Sequence, residues 1–144
     1  MKKKENIDII FLDGISFCHE NEFASFIGFL FPLGVIIENN SFSYKILNLK
    51  LMSEYSIENL IKELNTLSFN VIGISTHAEN VKWIYKIVNQ IKIHFPEIPI
   101  ILGGPQVSFS GNTILENCNC DILVRHEGEK KLIEILNYYI RGKS

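Results

Sequence analysis

Two places in this chain carry residues suited to holding a ligand. Ser75 and Thr76 close the apolar run Val71-Ile72-Gly73-Ile74, and Gly103, Gly104 and Pro105 close the run Ile100-Ile101-Leu102. Adjacent hydroxyls offer hydrogen bonds, and consecutive glycines leave a stretch of bare backbone that a large ligand can approach closely. A third polar stretch, Arg125-His126-Glu127-Gly128-Glu129, follows the run Asp121-Ile122-Leu123-Val124.

These tips meet only if the runs are neighbouring parallel strands. Strand-like runs fall at residues 7–12, 43–49, 70–75, 98–102 and 121–125, and the intervals mostly carry helical periodicity. Ile57, Leu60, Ile61, Leu64 and Leu67 repeat at helical spacing, as do Val81, Ile84, Tyr85, Val88 and Ile91, and then Leu132, Ile135, Leu136, Tyr139 and Ile140, so all three stripes read as core faces. The alternation predicts an α/β fold: a three-layer α/β/α domain whose five-stranded parallel sheet has the flavodoxin-like (Rossmann-like) order 2-1-3-4-5. In such a sheet ligands bind beyond the carboxyl ends of the strands, which selects residues 13–21, 75–78, 103–110 and 125–129. Thr76 and Glu79 have capping-box spacing, and a carboxylate at that helix start makes it a poor phosphate cradle.

The 144 residues fit one domain, with residues 1–6 read as a tail and residues 141–144 as the start of a tether. A composition 47% hydrophobic and 21% charged, with net charge −2, lacks the basic field of a nucleic-acid-binding surface, and Lys2, Lys3 and Lys4 read as a solvated tail. Cys18, Cys118 and Cys120 form no Cys-x-x-Cys pair, and no signal peptide precedes them, so a reducing, cytoplasmic setting is expected. The single residue between Cys118 and Cys120 suits neither a disulfide nor a zinc knuckle. The apolar segment 24–37 holds Pro32, Gly28 and Gly34 and is too short to span a bilayer; it reads as a buried, kinked or broken helix that faces a partner surface as well as its own sheet. No membrane or nucleic-acid partner is expected.

Familiar tenants of the fold fail on their essential residues. There is no Gly-x-x-x-x-Gly-Lys-Ser/Thr loop and no Gly-x-Gly-x-x-Gly after the first strand. A flavodoxin needs a Ser/Thr-rich loop where this chain has Asp13-Gly14-Ile15-Ser16-Phe17, and a response-regulator receiver needs aspartate at Ser75 and lysine at Arg125.

From residue 7 to residue 136 the chain resembles the cobalamin (vitamin B12)-binding domain found at the N-terminus of radical S-adenosylmethionine (SAM) enzymes. Three segments in order carry the resemblance: Val71-Ile72-Gly73-Ile74-Ser75-Thr76, Phe95-Pro96-Glu97-Ile98-Pro99-Ile100-Ile101-Leu102-Gly103-Gly104-Pro105, and Asp121-Ile122-Leu123-Val124-Arg125-His126-Glu127-Gly128-Glu129. The last is similar to the family's Val-Val-Arg-Gly-Glu-Gly-Glu, with His126 in place of a glycine.

The resemblance implies a base-off corrin whose nucleotide tail threads into the sheet. Ser75 and Thr76 would then hydrogen-bond the tail, with His77 beside them on the ligand face. Gly103 and Gly104 would give clearance, so that Gly104→Val is expected to abolish binding at little cost to folding. Pro105, Val107 and Ser108 would continue that wall, Glu127 and Gly128 would close the far side with Arg125, and Asp13 and Gly14 would border the first loop. Methionine-synthase-like domains place a cobalt-binding histidine in Asp-x-His-x-x-Gly after the first strand. Here Ile15 and Cys18 occupy the His and Gly positions, which implies a histidine-off cobalt and no protein metal ligand. The family's Asn-Pro-Pro is replaced by Asp13-Gly14-Ile15.

The implied function is a cobalamin-binding module of a radical SAM enzyme supporting methyl transfer. No catalytic residue of its own is expected. The 4Fe–4S cluster and SAM would sit on a barrel domain beyond residue 144 or on a separate chain, since the three cysteines here do not form Cys-x-x-x-Cys-x-x-Cys. Each residue also has a plainer use: a tight turn for Gly103 and Gly104, a helix cap for Ser75 and Thr76, mutual pairing or capping for Arg125 and Glu127 to Glu129. A non-catalytic flavodoxin-like interaction or sensor domain without a corrin is the competing function.

Overall fold

A computed structural model describes residues 4–13, 34–49, 57–76, 81–126 and 128–142. Five strands form one parallel sheet: β1 (Asn6–Asp13), β2 (Tyr44–Asn48), β3 (Ser68–Ser75), β4 (Ile100–Gly103) and β5 (Ile122–Leu123), in the order β2-β1-β3-β4-β5. This is the expected three-layer topology. The inner strands are near-continuous Ile, Val and Leu because helices cover both faces of the sheet.

Alternate residues face opposite layers. Ile10, Leu12, Ile72, Ile74, Ile100 and Leu102 pack beneath α2 (Ile57–Asn65), α3 (Val81–His94) and α4 (Pro105–Asn117), through Leu60, Leu64, Ile84, Val88, Ile91, Val107 and Ile114. Ile9, Phe11, Val71, Ile101 and Val124 pack on the other side against Ile37 of α1 (residues 34–39) and Leu132 and Leu136 of α5 (Glu129–Arg141). Twelve of the largest core side chains are fully buried, so a register slip of one residue would turn each strand's apolar set to the wrong layer.

Several boundaries differ from expectation, each for a local reason. Asn6 already belongs to β1, with its side chain bonded to Asn70 Oδ1 and Ser68 Oγ. Helix α4 starts directly at Pro105, at the first helical turn where a missing N–H costs nothing, and it kinks at Ser110 (φ −133°, ψ 32°). Tyr139, read as core, is 40% exposed and stacks edge-on against Tyr138. Arg141, read as tether, ends α5: its guanidinium donates to Asn40 O (2.9 Å) and Ser41 O (3.2 Å) and lies 4.0 Å over the Phe42 ring, while Gly142 (φ 65°) provides the left-handed cap. Most of the apolar 24–37 segment lies outside the described residues; of its end, Gly34 and Ile37 are buried and Val35 is 47% exposed.

Lys92 ties the amino edge of the sheet together. Its Nζ donates to Pro96 O (3.2 Å), Ile98 O (2.9 Å) and Asp121 Oδ2 (2.9 Å), and the same carboxylate oxygen accepts from Ile100 N (2.7 Å). One ammonium therefore holds the last turn of α3, the turn before β4 and the start of β5. Lys92→Met keeps the apolar stem but leaves two carbonyls and the Asp121 carboxylate without that donor. A loss of about 1–2 kcal/mol in urea denaturation is expected, and an unchanged midpoint would contradict this role.

Candidate functional site

The tips of β3 and β4 end in register, with Ser75 opposite Gly103. Just past them, Thr76 is fully buried, and both its backbone N–H and its hydroxyl donate to Gly103 O, each at 2.7 Å. Thr76 O in turn accepts from Gln106 N (3.3 Å) in the first turn of α4. The threonine thus joins β3, β4 and α4, and its hydroxyl proton is committed within the protein.

The two glycines divide into different roles. At Gly104 φ is 95°, and a Cβ there would lie 2.6 Å from Thr76 O and 2.8 Å from both Thr76 N and Ser75 Oγ. The protein's own backbone therefore demands this glycine, and clearance for a ligand is not what a larger side chain would first remove. At Gly103, among the described residues, the only heavy atom near such a Cβ is Val124 O, at 3.8 Å. Gly103, next to the half-buried Ser75, is thus the glycine that the described residues do not crowd.

Pro105 is exposed at the head of α4, whereas Val107 is fully buried among the core residues under that helix, so its side chain supports the wall from below. Ser108 Oγ accepts a hydrogen bond from His126 N (3.0 Å), tying α4 to the segment after β5. His126 has φ 63°, the left-handed region that favours glycine, which is the physical reason a glycine suits this position in the resembling motif. The Arg125 guanidinium lies against α4 at buried Gly111, where a Cβ would sit 2.6 Å from Nη2, and Lys131 Nζ donates to Arg125 O (3.0 Å). Gly128 is the N-cap of α5, in ordinary helical backbone (φ −98°) with Val124 packed near it. Asp13 closes β1 and is buried.

The structure therefore gathers Asp13, Ser75, Thr76, Gly103, Gly104, Pro105, Ser108, Arg125 and Gly128 at the carboxyl edge. Gly14, His77, Glu79 and Glu127 lie outside the described residues. Sequence reasoning missed the early start of α4 and the Arg125–Gly111 and Ser108–His126 ties. Pro105 was a signal for the first; nothing local announces the other two. His94, expected at a helix end, closes α3 with Nδ1 3.0 Å from Gln90 O. Among the described residues no three His, Cys, Asp or Glu side chains converge as a metal-ligand set.

A protein-family model described as "B12 binding domain" matches residues 31–136. No curated protein matches the chain. Among solved structures, the radical SAM methyltransferase TsrM from Kitasatospora setae, with cobalamin and a 4Fe–4S cluster bound, superposes with a TM-score of 0.78 at 18% identity, over 96% of this chain and 27% of that one. The same enzyme with tryptophan substrate and a SAM analogue gives 0.75 at 17%, over 94% and 26%. A CheY-like protein, TadZ from Pseudomonas aeruginosa PAO1, gives 0.62 at 15%, over 92% and 94%. At these identities the likeness is one of fold, and this chain spans about a quarter of TsrM.

Two substitutions distinguish the roles assigned here. Gly104→Val is expected to lower stability by about 2–4 kcal/mol through left-handed strain and backbone overlap. His126→Gly should raise it by about 0.5–1 kcal/mol, the relief of left-handed strain outweighing the added chain entropy. Chemical denaturation of both variants reads the signs directly, and the reverse sign at either position would overturn its assignment.

Proposed function

The chain belongs to the B12-binding domain family, and on that basis we propose that it holds cobalamin at the carboxyl edge of its sheet, base-off and histidine-off, as the cofactor module of a radical SAM enzyme. The observation that carries this is the uneven pair of glycines: Gly104 is closed by Thr76, while Gly103, among the described residues, leaves bare backbone uncrowded beside Ser75. A flat macrocycle with a long tail needs such a cradle, and a Cβ would begin to fill it.

In this reading Ser75 donates to the nucleotide tail and Gly103 lets it pass. Thr76 and Gly104 hold the two walls in place. Pro105 and Ser108 line one side; Arg125, Glu127 and Gly128 border the other; and Asp13, Gly14 and His77 belong to the adjoining loops. When bound, the cofactor supplies methyl-carrying chemistry, suited to an unreactive carbon or phosphorus acceptor. The module's own residues bind and orient it.

The 4Fe–4S cluster and SAM belong to a barrel domain, in continuation of this chain or as a separate one, with residues 1–144 as one cobalamin-binding unit. Support comes from TsrM, a radical SAM methyltransferase with cobalamin and a 4Fe–4S cluster bound, about a quarter of which has this shape. Among the described residues no helix is long and apolar enough to cross a membrane, and a cytoplasmic setting is part of the proposal. A corrin-free sensor domain is the alternative; for a receiver, Ser75 stands where the acceptor aspartate is needed.

Titration with hydroxocobalamin tests the proposal. Its absorption spectrum is expected to shift on binding, and the unfolding free energy to rise by about 2.7 kcal/mol at a hundredfold excess over Kd. Gly103→Ala should keep the unfolding midpoint of the cofactor-free protein and weaken binding by about tenfold, because among the described residues the methyl meets only Val124 O, at ordinary contact distance, whereas in the complex it meets the tail. No spectral change and no stabilisation with millimolar hydroxocobalamin would refute cofactor binding.

A further inference from the structure

Beside β5 the sheet ends on a narrow apolar face that the proposed cofactor site does not use. β5 is an edge strand of two residues, with Ile122 turned to the α5 layer and Leu123 to the α4 layer, and both are only half-buried. In α4, Ser108 and Gly111 meet the segment after β5, and Leu115 continues their stripe at 54% exposed. In α5, Lys131 reaches Arg125 O on the β5 side, whereas Arg141 reaches Asn40 O and Ser41 O on the far side. Helical spacing puts Ile135, Tyr138 and Tyr139 on the Lys131 side, and the two tyrosines are 60% and 40% exposed. An apolar strip thus runs from Leu115 across the sheet edge to Tyr138, wider than a lone exposed side chain would give.

Charge is unevenly placed along this strip. At the carboxyl end of β5 stand Arg125 and Lys131, and at its amino end stand Asp121 and Glu116, the latter in the last turn of α4; all four are exposed. Lys92 also reaches the amino end, but its ammonium is turned inward onto Pro96 O and Ile98 O as well as Asp121, and its side chain is only 15% exposed. Glu129, Lys130 and Glu134 fall on the other side of α5. One end of the strip is therefore basic and the other acidic.

We propose that this edge is a self-association surface, on which two copies of the chain meet about a two-fold axis with their β5 strands antiparallel and Leu115, Tyr138 and Tyr139 in the contact. A two-fold contact uses the same patch on both copies, so the patch must complement itself. Antiparallel pairing sets the Arg125 and Lys131 end of each copy on the Asp121 and Glu116 end of the other. Parallel pairing would set like charges together at both ends. These self-complementary ends are what select a second copy as the occupant.

The dimensions suit a reversible pair. α4 and α5 are each 13 residues long, about 20 Å, and lie on opposite faces of the sheet. A face of that length and three elements wide buries on the order of 1,000 Å² in a dimer, at the low end of specific interfaces. The contact lies beside the sheet rather than beyond its strand tips, so the β3 and β4 tips of both copies stay available to a ligand.

Sedimentation equilibrium of the full chain, without cobalamin, tests this. A monomer–dimer equilibrium is expected between about 1 and 500 µM, with Kd on the order of 10 µM, and it should weaken several-fold when salt rises from about 0.05 to 0.5 M. Tyr138→Glu should leave a monomer. Glu116→Lys and Lys131→Glu should each weaken association by about tenfold, whereas an equimolar mixture of the two variants should associate about as well as the unaltered chain, because each then meets unlike charge at both ends. Both reversals agree with their helix dipoles, so unfolding midpoints should hold. Glu58→Lys, on α2, is the control and should change nothing. A monomer throughout the concentration range, association indifferent to salt, a mixture no better than either variant alone, or an equal loss in Glu58→Lys would each overturn the proposal.

Discussion

One carbonyl oxygen organises the carboxyl edge of this sheet. Gly103 O accepts both the N–H and the hydroxyl of the fully buried Thr76, each at 2.7 Å. Buried polar groups must be paired, and here both donors of Thr76, the residue just past the tip of β3, are satisfied by one carbonyl of the neighbouring strand. That closeness is what makes Gly104 obligatory, since its φ of 95° carries the chain over Thr76 with no room for a side chain. It also delivers Pro105 to the first turn of α4, where Gln106 N reaches back to Thr76 O. From there Ser108 holds His126, so the segment after β5 is placed by a relay that begins at Thr76.

The sheet was legible because its signal is redundant. Five apolar runs separated by helical stripes permit few topologies, and the inner strands leave no polar face that would allow another. The edge was less legible because neighbouring residues of the same type differ in role for reasons of backbone geometry. Ser75 and Thr76 are both hydroxyls, yet Ser75 is half-buried, whereas Thr76 is fully buried and gives its proton to Gly103 O. Gly103 and Gly104 are both glycines, yet only one has positive φ. His126 is a histidine in a conformation that suits glycine, and nothing in a string of letters marks the difference. Helix α4 was obscured by its composition: Pro105, Gly111 and the Ser110 kink weaken the amphipathic pattern that made the other stripes evident.

The two ends of the sheet are secured by different means. At the amino edge, Lys92 and Asp121 bind strand ends through charge-assisted bonds that need no unusual backbone. At the carboxyl edge, neutral bonds hold a chain that passes through two left-handed residues, Gly104 and His126, within one cluster of loops. Strain of that kind persists only where surrounding contacts over-determine it, and it concentrates where a surface must take a particular shape. Such a division suits a binding module, with a rigid base and a shaped rim.

The open position beside Gly103 follows from the shortness of β5. The β4–β5 ladder pairs Ile101 with Ile122 and Leu102 with Leu123, and its last bond is Val124 N to Leu102 O at 2.8 Å. Gly103 is therefore matched on the β3 side by Ser75 and lies past the end of the ladder on the β5 side. Had β5 run one pair further, a strand would stand where the space now is. Instead the chain departs at Arg125, whose guanidinium crosses to α4 and settles on Gly111. The early exit of β5, the glycine that accepts Arg125 and the serine that anchors His126 act together to keep the β5 side of the β4 tip clear of the strand, α4 and the segment after β5. The room beside Gly103 is thus maintained by residues on three elements, more than a tight turn alone requires.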